Sequence, residues 1–310
     1  MIMQEVIVEK KQSGQRLDKY LKKYLPAAGS GFIYKMLRKK NITLNAVKSD
    51  GSDILAEGDV IRFYFSDETF AKMKGTGVLA ADIPAWAGEE PEIVYEDEDI
   101  LIMDKPAGLL SQSDKSGKRS ANDWLLYHCR EKGSINEGFR PSVCNRLDTN
   151  TSGLLMCAKT YAGSRFLSDI IKDHSLRKFY MALAEGRMEG SAVLEGIWHK
   201  DEKNNKVRIT AITAPADEKP EGYVKTAYRV VEKKDSYTLL EVELFTGKSH
   251  QIRAHLASIG HPLAGDIKYG GHPYKGKSTQ YLKAYKLVFP KITGGFERLS
   301  GKEFIAKWEQ

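Results

Sequence analysis

The sequence predicts a two-domain chain in which both domains mix helices with strands. Three observations lead there. A length of 310 residues is enough for two cores. Residues 10 to 48 hold eleven Lys or Arg against one acid, Asp18, so this stretch carries +10. The whole chain carries +7, so the remainder sums to −3. Residues 66 to 91 keep no consistent period and are broken by Gly75, Gly77, Pro84, Gly88 and Pro91, as a linker is. The expected boundaries are a basic domain at 1–66, a linker at 67–91 and a larger domain at 92–310.

In the first domain, residues 4 to 8 alternate like a strand. Ser13 to Leu25 then reads as a helix, with Leu17, Tyr20, Leu21, Tyr24 and Leu25 at helical spacing, Ser13 as its cap and Pro26 as its stop. Phe32 to Asn41 reads as a second helix that puts Lys35, Arg38 and Lys39 on one face, with Lys40 following. Ile42 to Asn45 and Asp59 to Phe65 look like strands around Gly51 and Gly58. Concentrated positive charge on one compact segment points to a polyanion, and nucleic acid is the expected partner.

Glu89 to Asp99 holds seven acids and no base, and is expected to turn away from that partner. Ile100 to Met103 is a buried strand and Asn122 to Arg130 a helix. Tyr161 to Lys172 is a helix, and Leu176 to Gly186 a strand entering a Gly turn. Residues 191 to 222 read as a hairpin with a loose loop from Ala214 to Gly222. Tyr223 to Val231 and Ser236 to Phe245 alternate as strands. Ser249 can cap a last helix in which Ile252, Leu256 and Ile259 face the core and Gly260 is the stop. Arg253 lies off the middle of that apolar stripe, where a cation can point into a pocket at the first turn.

Composition excludes several classes. Hydrophobic content of 41% and charged content of 29% read as globular. The leading residues alternate and carry charge, without an apolar core of signal-peptide length. No run approaches membrane-spanning length, so a cytoplasmic protein without a membrane partner is expected. Cys129, Cys144 and Cys157 form no CxxC and are odd in number, which argues for small buried hydrophobes rather than disulfides. The seven His residues show no metal-ligand spacing, and no metal is expected.

The chemistry centres on Arg140 to Lys159. A polar loop carries Arg146 and Asp148, and the apolar run Gly153 to Ala158 that follows can anchor it as a buried strand. A carboxylate near a fixed positive charge stays ionised at neutral pH, and ionised Asp is a covalent catalyst at sugar carbons. From residue chemistry alone the commoner reading is an Asp capping a turn, with Thr149, Asn150 and Thr151 as turn residues.

The order of residues changes that weighting. Asn-Arg-Leu-Asp-Thr-Asn-Thr-Ser-Gly-Leu-Leu, residues 145 to 155, closely resembles the signature of the RluA-type pseudouridine synthases. The resemblance implies that Asp148 is the catalytic residue; the family usually has His where this chain has Asn145. Lys105-Pro-Ala-Gly resembles the family's Lys-Pro-x-Gly element. Lys178-Phe-Tyr180 matches its Lys-x-Tyr pattern, which makes Tyr180 the residue that packs against the target base. Thr246-Gly-Lys-Ser-His-Gln-Ile-Arg253, with His261-Pro-Leu-Ala-Gly-Asp266, resembles the element that supplies an Arg to the catalytic Asp, here Arg253. Lys248 stands where Arg is usual, which keeps charge but not a bidentate contact. Asp266-Ile-Lys-Tyr-Gly270 and Leu282-Lys-Ala-Tyr285 also match. Residues 14 to 65, with Gly-x-Arg-Leu-Asp-x-Tyr-Leu at the first helix, resemble the S4-like RNA-binding module. That implies phosphate contacts by Lys35, Arg38, Lys39 and Lys40.

The implied fold is α+β, with a mixed, largely antiparallel sheet bearing the cleft behind a small basic domain. The implied reaction isomerises uridine to pseudouridine in RNA by base flipping and needs no cofactor. Asp148 would attack sugar or base, or remove the 2′ proton, while Arg253 orients it and Arg146 holds the flipped nucleotide's place. The basic front domain favours large-subunit ribosomal RNA over transfer RNA, and a monomer is expected. Two other classes are open. A non-catalytic RNA-binding protein would need only residues 10 to 65. A glycosidase would need a second carboxylate as acid, for which Asp266 is the candidate.

Overall fold

The computed structural model describes residues 4–74, 83–135, 138–212 and 220–308. Residues 75–82 of the linker expected at 67–91, and residues 214–219 of the loop expected at 214–222, lie outside them. The N-terminal unit contains β1 (Gln4–Ile7), α1 (Leu17–Tyr24), α2 (Ser30–Arg38), β2 (Ile42–Leu44), β3 (Val60–Phe63) and α3 (Asp67–Lys74). Its sheet has the order β1-β3-β2 and is antiparallel. Leu17, Tyr20, Leu21, Tyr24 and Leu25 are all buried in one core with Ile33, Leu37, Ile42, Ile61 and Phe63, as their helical spacing requires.

Two readings of this unit need correction. The first helix begins at Leu17, not after Ser13. Gly14 takes φ 81, Arg16 is extended, and Ser13 Oγ donates to the Lys10 carbonyl instead of capping. The expected linker opens with α3, whose Phe70 packs edge-on against Tyr24 and Phe63 and so belongs to the small unit's core. This unit also touches the larger one. Gly138, at φ 84, leaves room for the Tyr20 ring, which would lie 2.4 Å from any Cβ there. The Lys23 ammonium lies 5.1 Å and 5.2 Å from the Phe139 and Tyr161 ring centroids, so this member of the basic run is turned inward.

The larger unit holds β4 (Glu92–Glu96), β5 (Ile100–Lys105), α4 (Ala121–Glu131), β6 (Ser142–Val143), β7 (Ser152–Ala158) and α5 (Tyr161–Lys172). It continues through β8 (Arg177–Glu185), β9 (Ser191–Asp201), β10 (Lys206–Thr210), β11 (Tyr223–Lys234) and β12 (Tyr237–Leu244). It ends with α6 (Gln251–Ser258), β13 (Leu282–Val288) and β14 (Glu303–Ile305). The sheet runs β10-β9-β11-β12-β8-β13-β7-β5-β4, with β14 on β13 and β6 on β7. β13 pairs parallel with β7, and the other pairings are antiparallel, which is the mixed, largely antiparallel sheet expected.

The unbroken apolar runs of β5 and β7 follow from burial of both strand faces. Leu101, Met103, Leu155 and Cys157 point to the core that contains Trp124 and Leu125 of α4 and Ile252 and Leu256 of α6. Ile100, Ile102, Leu154 and Met156 point to the opposite core with Leu167 and Ile170 of α5. Truncating one such Leu to Ala costs about 2–5 kcal/mol. α6 also departs from expectation. Ser249 does not cap it; His250 enters in the left-handed conformation at φ 55, and Ile259 is exposed beyond its end. Cys129 and Cys157 are buried, whereas Cys144 is only partly so and lines the cleft described below.

Candidate active site

Between β6 and β7 the chain makes an irregular loop, and backbone bonds to fixed partners hold it. Cys144 N donates to the Met156 carbonyl at 2.7 Å, and Asn145 Oδ1 accepts from Met156 N at 2.8 Å. Asn145 therefore ties the loop to its own anchoring strand rather than reaching Asp148. Leu147 is buried in the core, and its N–H and carbonyl both bond the Ser111 hydroxyl, at 3.0 Å and 2.8 Å. Thr149 offers its carbonyl to Gly108 N at 2.9 Å and to Lys105 Nζ at 3.0 Å. Gly153, at φ 114, lets β7 approach β13 where a Cβ would lie 2.2 Å from the Ala284 carbonyl oxygen. Asp148 is thus pinned on both sides in sequence.

Lys105 is fully buried and also donates to the carbonyls of Pro106 and Leu109. Burial pushes its ammonium down to about 8, while the nearby Asp148 and Asp104 carboxylates oppose that shift.

The floor opposite Asp148 is the first turn of α6. Gln251 fixes that turn with every polar atom engaged. Its amide donates to the Lys225 carbonyl and the Thr226 hydroxyl, and its oxygen accepts from Thr246 Oγ1 and Lys248 N. Ile252 then anchors the core and Arg253 turns into the cleft. Arg253 Nε and Nη2 donate to the two oxygens of Asp266 at 2.7 Å and 2.8 Å, and Nη1 donates to Asp148 Oδ2 at 3.0 Å. Burial works against the guanidinium charge, but hydrogen bonds and charge from Asp266, then Asp148, outweigh it and raise its pKa.

Asp148 Oδ1 accepts no hydrogen bond among the described residues, and His250 Nε2 stands 3.8 Å from it. Val207 N–H donates to the Tyr269 hydroxyl at 2.9 Å, and that hydroxyl bonds His250 Nδ1 at 2.8 Å. With the phenol O–H donating its hydrogen bond to Nδ1, both partners are satisfied and Nε2 is the protonated nitrogen facing Asp148. Burial, the first cause, lowers the His250 pKa, and Arg253 and Lys268 lower it further against the opposing pull of Asp148.

Tyr180 lies on β8 with its ring in the core and its surface on the cleft. Its hydroxyl has no partner among the described residues, and burial together with the Asp148 charge raises its pKa. The cleft encloses about 890 Å³. Its lining includes six Lys or Arg, Arg146 and Lys248 among them, and three carboxylates, two of which Arg253 already pairs, so the cleft favours an anion.

Asp148, Tyr180, Arg253, Arg146 and Lys248 therefore meet in one place. Lys35, Arg38, Lys39 and Lys40 do not; they are exposed on α2 and just past its end. Sequence reasoning missed His250 as a neighbour of Asp148 and gave Asp266 no role beside Arg253. Asp266 stood inside a quoted motif, but nothing local showed that its carboxylate is 2% exposed and bidentate. A second carboxylate so engaged has no free oxygen for a glycosidase acid. Among the described residues no group of three or more His, Cys, Asp or Glu could hold a metal ion. No helix among them is long and apolar enough to cross a membrane.

Residues 99–258, which span both the Asp148 loop and α6, match the RNA pseudouridylate synthase family. A ribosomal large subunit pseudouridine synthase D of Zymomonas mobilis is 32% identical over 98% of this chain and 92% of its own. An uncharacterized RNA pseudouridine synthase of Mycoplasma genitalium is 30% identical over 94% of this chain and 90% of its own. Human RNA Pseudouridylate Synthase Domain Containing 4 shares the fold, with a TM-score of 0.54 at 20% identity over 70% of this chain and 88% of that one. By these matches the chain belongs to the RNA pseudouridylate synthase family, in its RluA-type branch.

Proposed function

We propose that this enzyme converts uridine to pseudouridine in large-subunit ribosomal RNA, in the cytoplasm, with Asp148 as the essential carboxylate. The observation that carries the reading is the Arg253 bridge. Two of its donors are fixed by Asp266 and the third is aimed at Asp148, which leaves Asp148 Oδ1 open to the cleft. Such preorganisation favours one orientation of a reactive carboxylate before substrate arrives. The target uridine flips out of the RNA stack, and Tyr180 walls its base while Arg146 at the rim takes its place in the strand. Asp148 attacks sugar or base, or takes the 2′ proton. The N1–C1′ bond breaks, the uracil turns, the C5–C1′ bond forms, and the C5 proton is lost as N1 gains one. No electron, energy source or group donor enters.

The N-terminal unit acts as an S4-like RNA-binding domain. Lys35, Arg38, Lys39 and Lys40 contact phosphates and position long RNA without reading its sequence. Relatives named for the ribosomal large subunit favour that substrate over transfer RNA. The test incubates the protein with uridine-labelled large-subunit ribosomal RNA and, separately, transfer RNA, followed by nucleoside analysis. Pseudouridine in the ribosomal arm is expected. Pseudouridine confined to transfer RNA would replace the substrate, and none in either would remove the reading.

A further inference from the structure

Lys178 stands two residues before Tyr180 on β8, so both side chains leave the same face of the strand, and both line the cleft. Lys178 is 9% exposed. The other buried Lys and Arg side chains among the described residues are all held: Lys105 by three carbonyls, Lys159 by Glu96, and Arg253 by Asp148 and Asp266. Lys178 has no hydrogen bond or ion pair among the described residues, and burial alone lowers its pKa. A buried ammonium without a counter-charge is costly, and the complex is where that cost can be offset.

Among the described residues, none of the cleft's three carboxylates pairs with Lys178. Cys144, Asn145 and Ile171 line the cleft as well, and the Asn145 oxygen already accepts from Met156. No carboxylate lies within ion-pair distance of the Lys178 amine among the described residues. The anion must come with the ligand, and the anions of RNA are its phosphodiesters. Flipping swings a nucleotide about its own backbone and brings its flanking phosphates to the mouth of the site. We propose that Lys178 is the phosphate anchor of the cleft, pairing with a phosphodiester that flanks the flipped uridine. A point charge on a flexible stem suits that task. The inference rests on the reading of the cleft as the seat of a flipped uridine.

The test is a cycle of protein and RNA changes. Short RNAs carry one neutral methylphosphonate linkage, either directly 5′ or 3′ of the target uridine or several nucleotides away. Affinity over a range of salt, and single-turnover rate, are measured for wild type, Lys178→Met and Lys178→Arg, after thermal melts confirm folding. Should Lys178→Met melt below the assay temperature, Lys178→Gln takes its place. On unmodified RNA the neutral variant should bind about tenfold more weakly or worse, with the slope of log affinity against log salt flattened by about 0.7 to 0.9. One flanking neutral linkage should weaken wild type and Lys178→Arg equally and leave the neutral variant unaffected. If the neutral variant keeps the wild-type salt slope and remains sensitive to both flanking linkages, the amine serves the base or the fold and the proposal is overturned. Failure of the underlying reading is separate: wild type would then form no pseudouridine in the unmodified RNA.

Discussion

Lys35, Arg38, Lys39 and Lys40 stand in solvent on α2 and just past it, whereas Arg253 and Lys105 lie beneath the Asp148 loop with their donors engaged by named atoms. The residue types are alike and the physics is not. An exposed cation acts through its field and through counterion release, so its neighbours can substitute for it. Losing a buried cation that fixed partners hold in one geometry, as they hold Arg253 and Lys105 but not Lys178, changes orientation and leaves charges unpaired. The first kind should set affinity and salt dependence. The second should set rate and stability, and the sharpest way to break this division is to remove one cation of the second kind.

Arg253→Ala is predicted to slow the reaction at saturating RNA by about 10² to 10³, the usual cost of a preorganised charged donor. RNA affinity should change by far less. Arg253→Lys should not restore the rate, because an ammonium cannot bridge Asp266 bidentately and still reach Asp148. A wild-type single-turnover rate in Arg253→Ala would end the comparison. Asp266→Ala removes the other arm of the bridge. Leaving the guanidinium half-paired should lower unfolding stability by about 3 kcal/mol in urea melts and slow the reaction as well. Unchanged stability would mean that Arg253 is held by something other than the carboxylate pair.

A third kind of buried base lies on α6 itself. His255 shares a 2.8 Å hydrogen bond between Nδ1 and the Thr226 hydroxyl, and burial pushes its pKa down to about 4. The ordinary value is about 6.5, so between those values the unfolded chain binds a proton that the folded one does not. Stability should therefore fall as pH drops from about 6.5 to 4, by up to about 3 kcal/mol. Urea melts of wild type and His255→Gln at pH 7 and pH 4.5 check this, and the variant should lose part of the pH dependence. The smallest change expected is in Tyr180→Phe. Its hydroxyl has no partner among the described residues, so RNA binding should persist and the rate should stay within about tenfold. A loss as deep as that of an Asp148 variant would give the hydroxyl a chemical role.

What could be read in the sequence divides along the same line. The strands β5 and β7, the α5 helix and the meeting of Asp148, Tyr180 and Arg253 were legible, because burial and short motifs leave a local pattern. The start of α1 was not: Gly14 at φ 81 and an extended Arg16 override a good capping residue at Ser13. α3 was hidden because it presents one buried side chain, Phe70, to its neighbours. The parts of the site that escaped are tertiary. Asp148 and Arg253 are 105 positions apart, and the resemblance bridged them; nothing bridged Asp266 or His250 to the same atoms. His250 enters α6 in the left-handed conformation with its ring 3.8 Å from Asp148, and no periodicity announces a left-handed residue before a helix.

The most direct measurement compares the two regions in one assay. Single-turnover rate at saturating RNA, and affinity over a range of salt, are determined for wild type, for Asp148→Asn, and for a variant carrying Lys35→Ala, Arg38→Ala, Lys39→Ala and Lys40→Ala. Asp148→Asn is expected to bind with the wild-type salt slope and form no pseudouridine, since the amide is isosteric but a poor nucleophile. The fourfold variant should keep the wild-type rate at saturation while its salt slope flattens by roughly three units. Pseudouridine formed by Asp148→Asn, or a fourfold variant with an unchanged slope and a collapsed rate, would overturn the division of labour between the two regions.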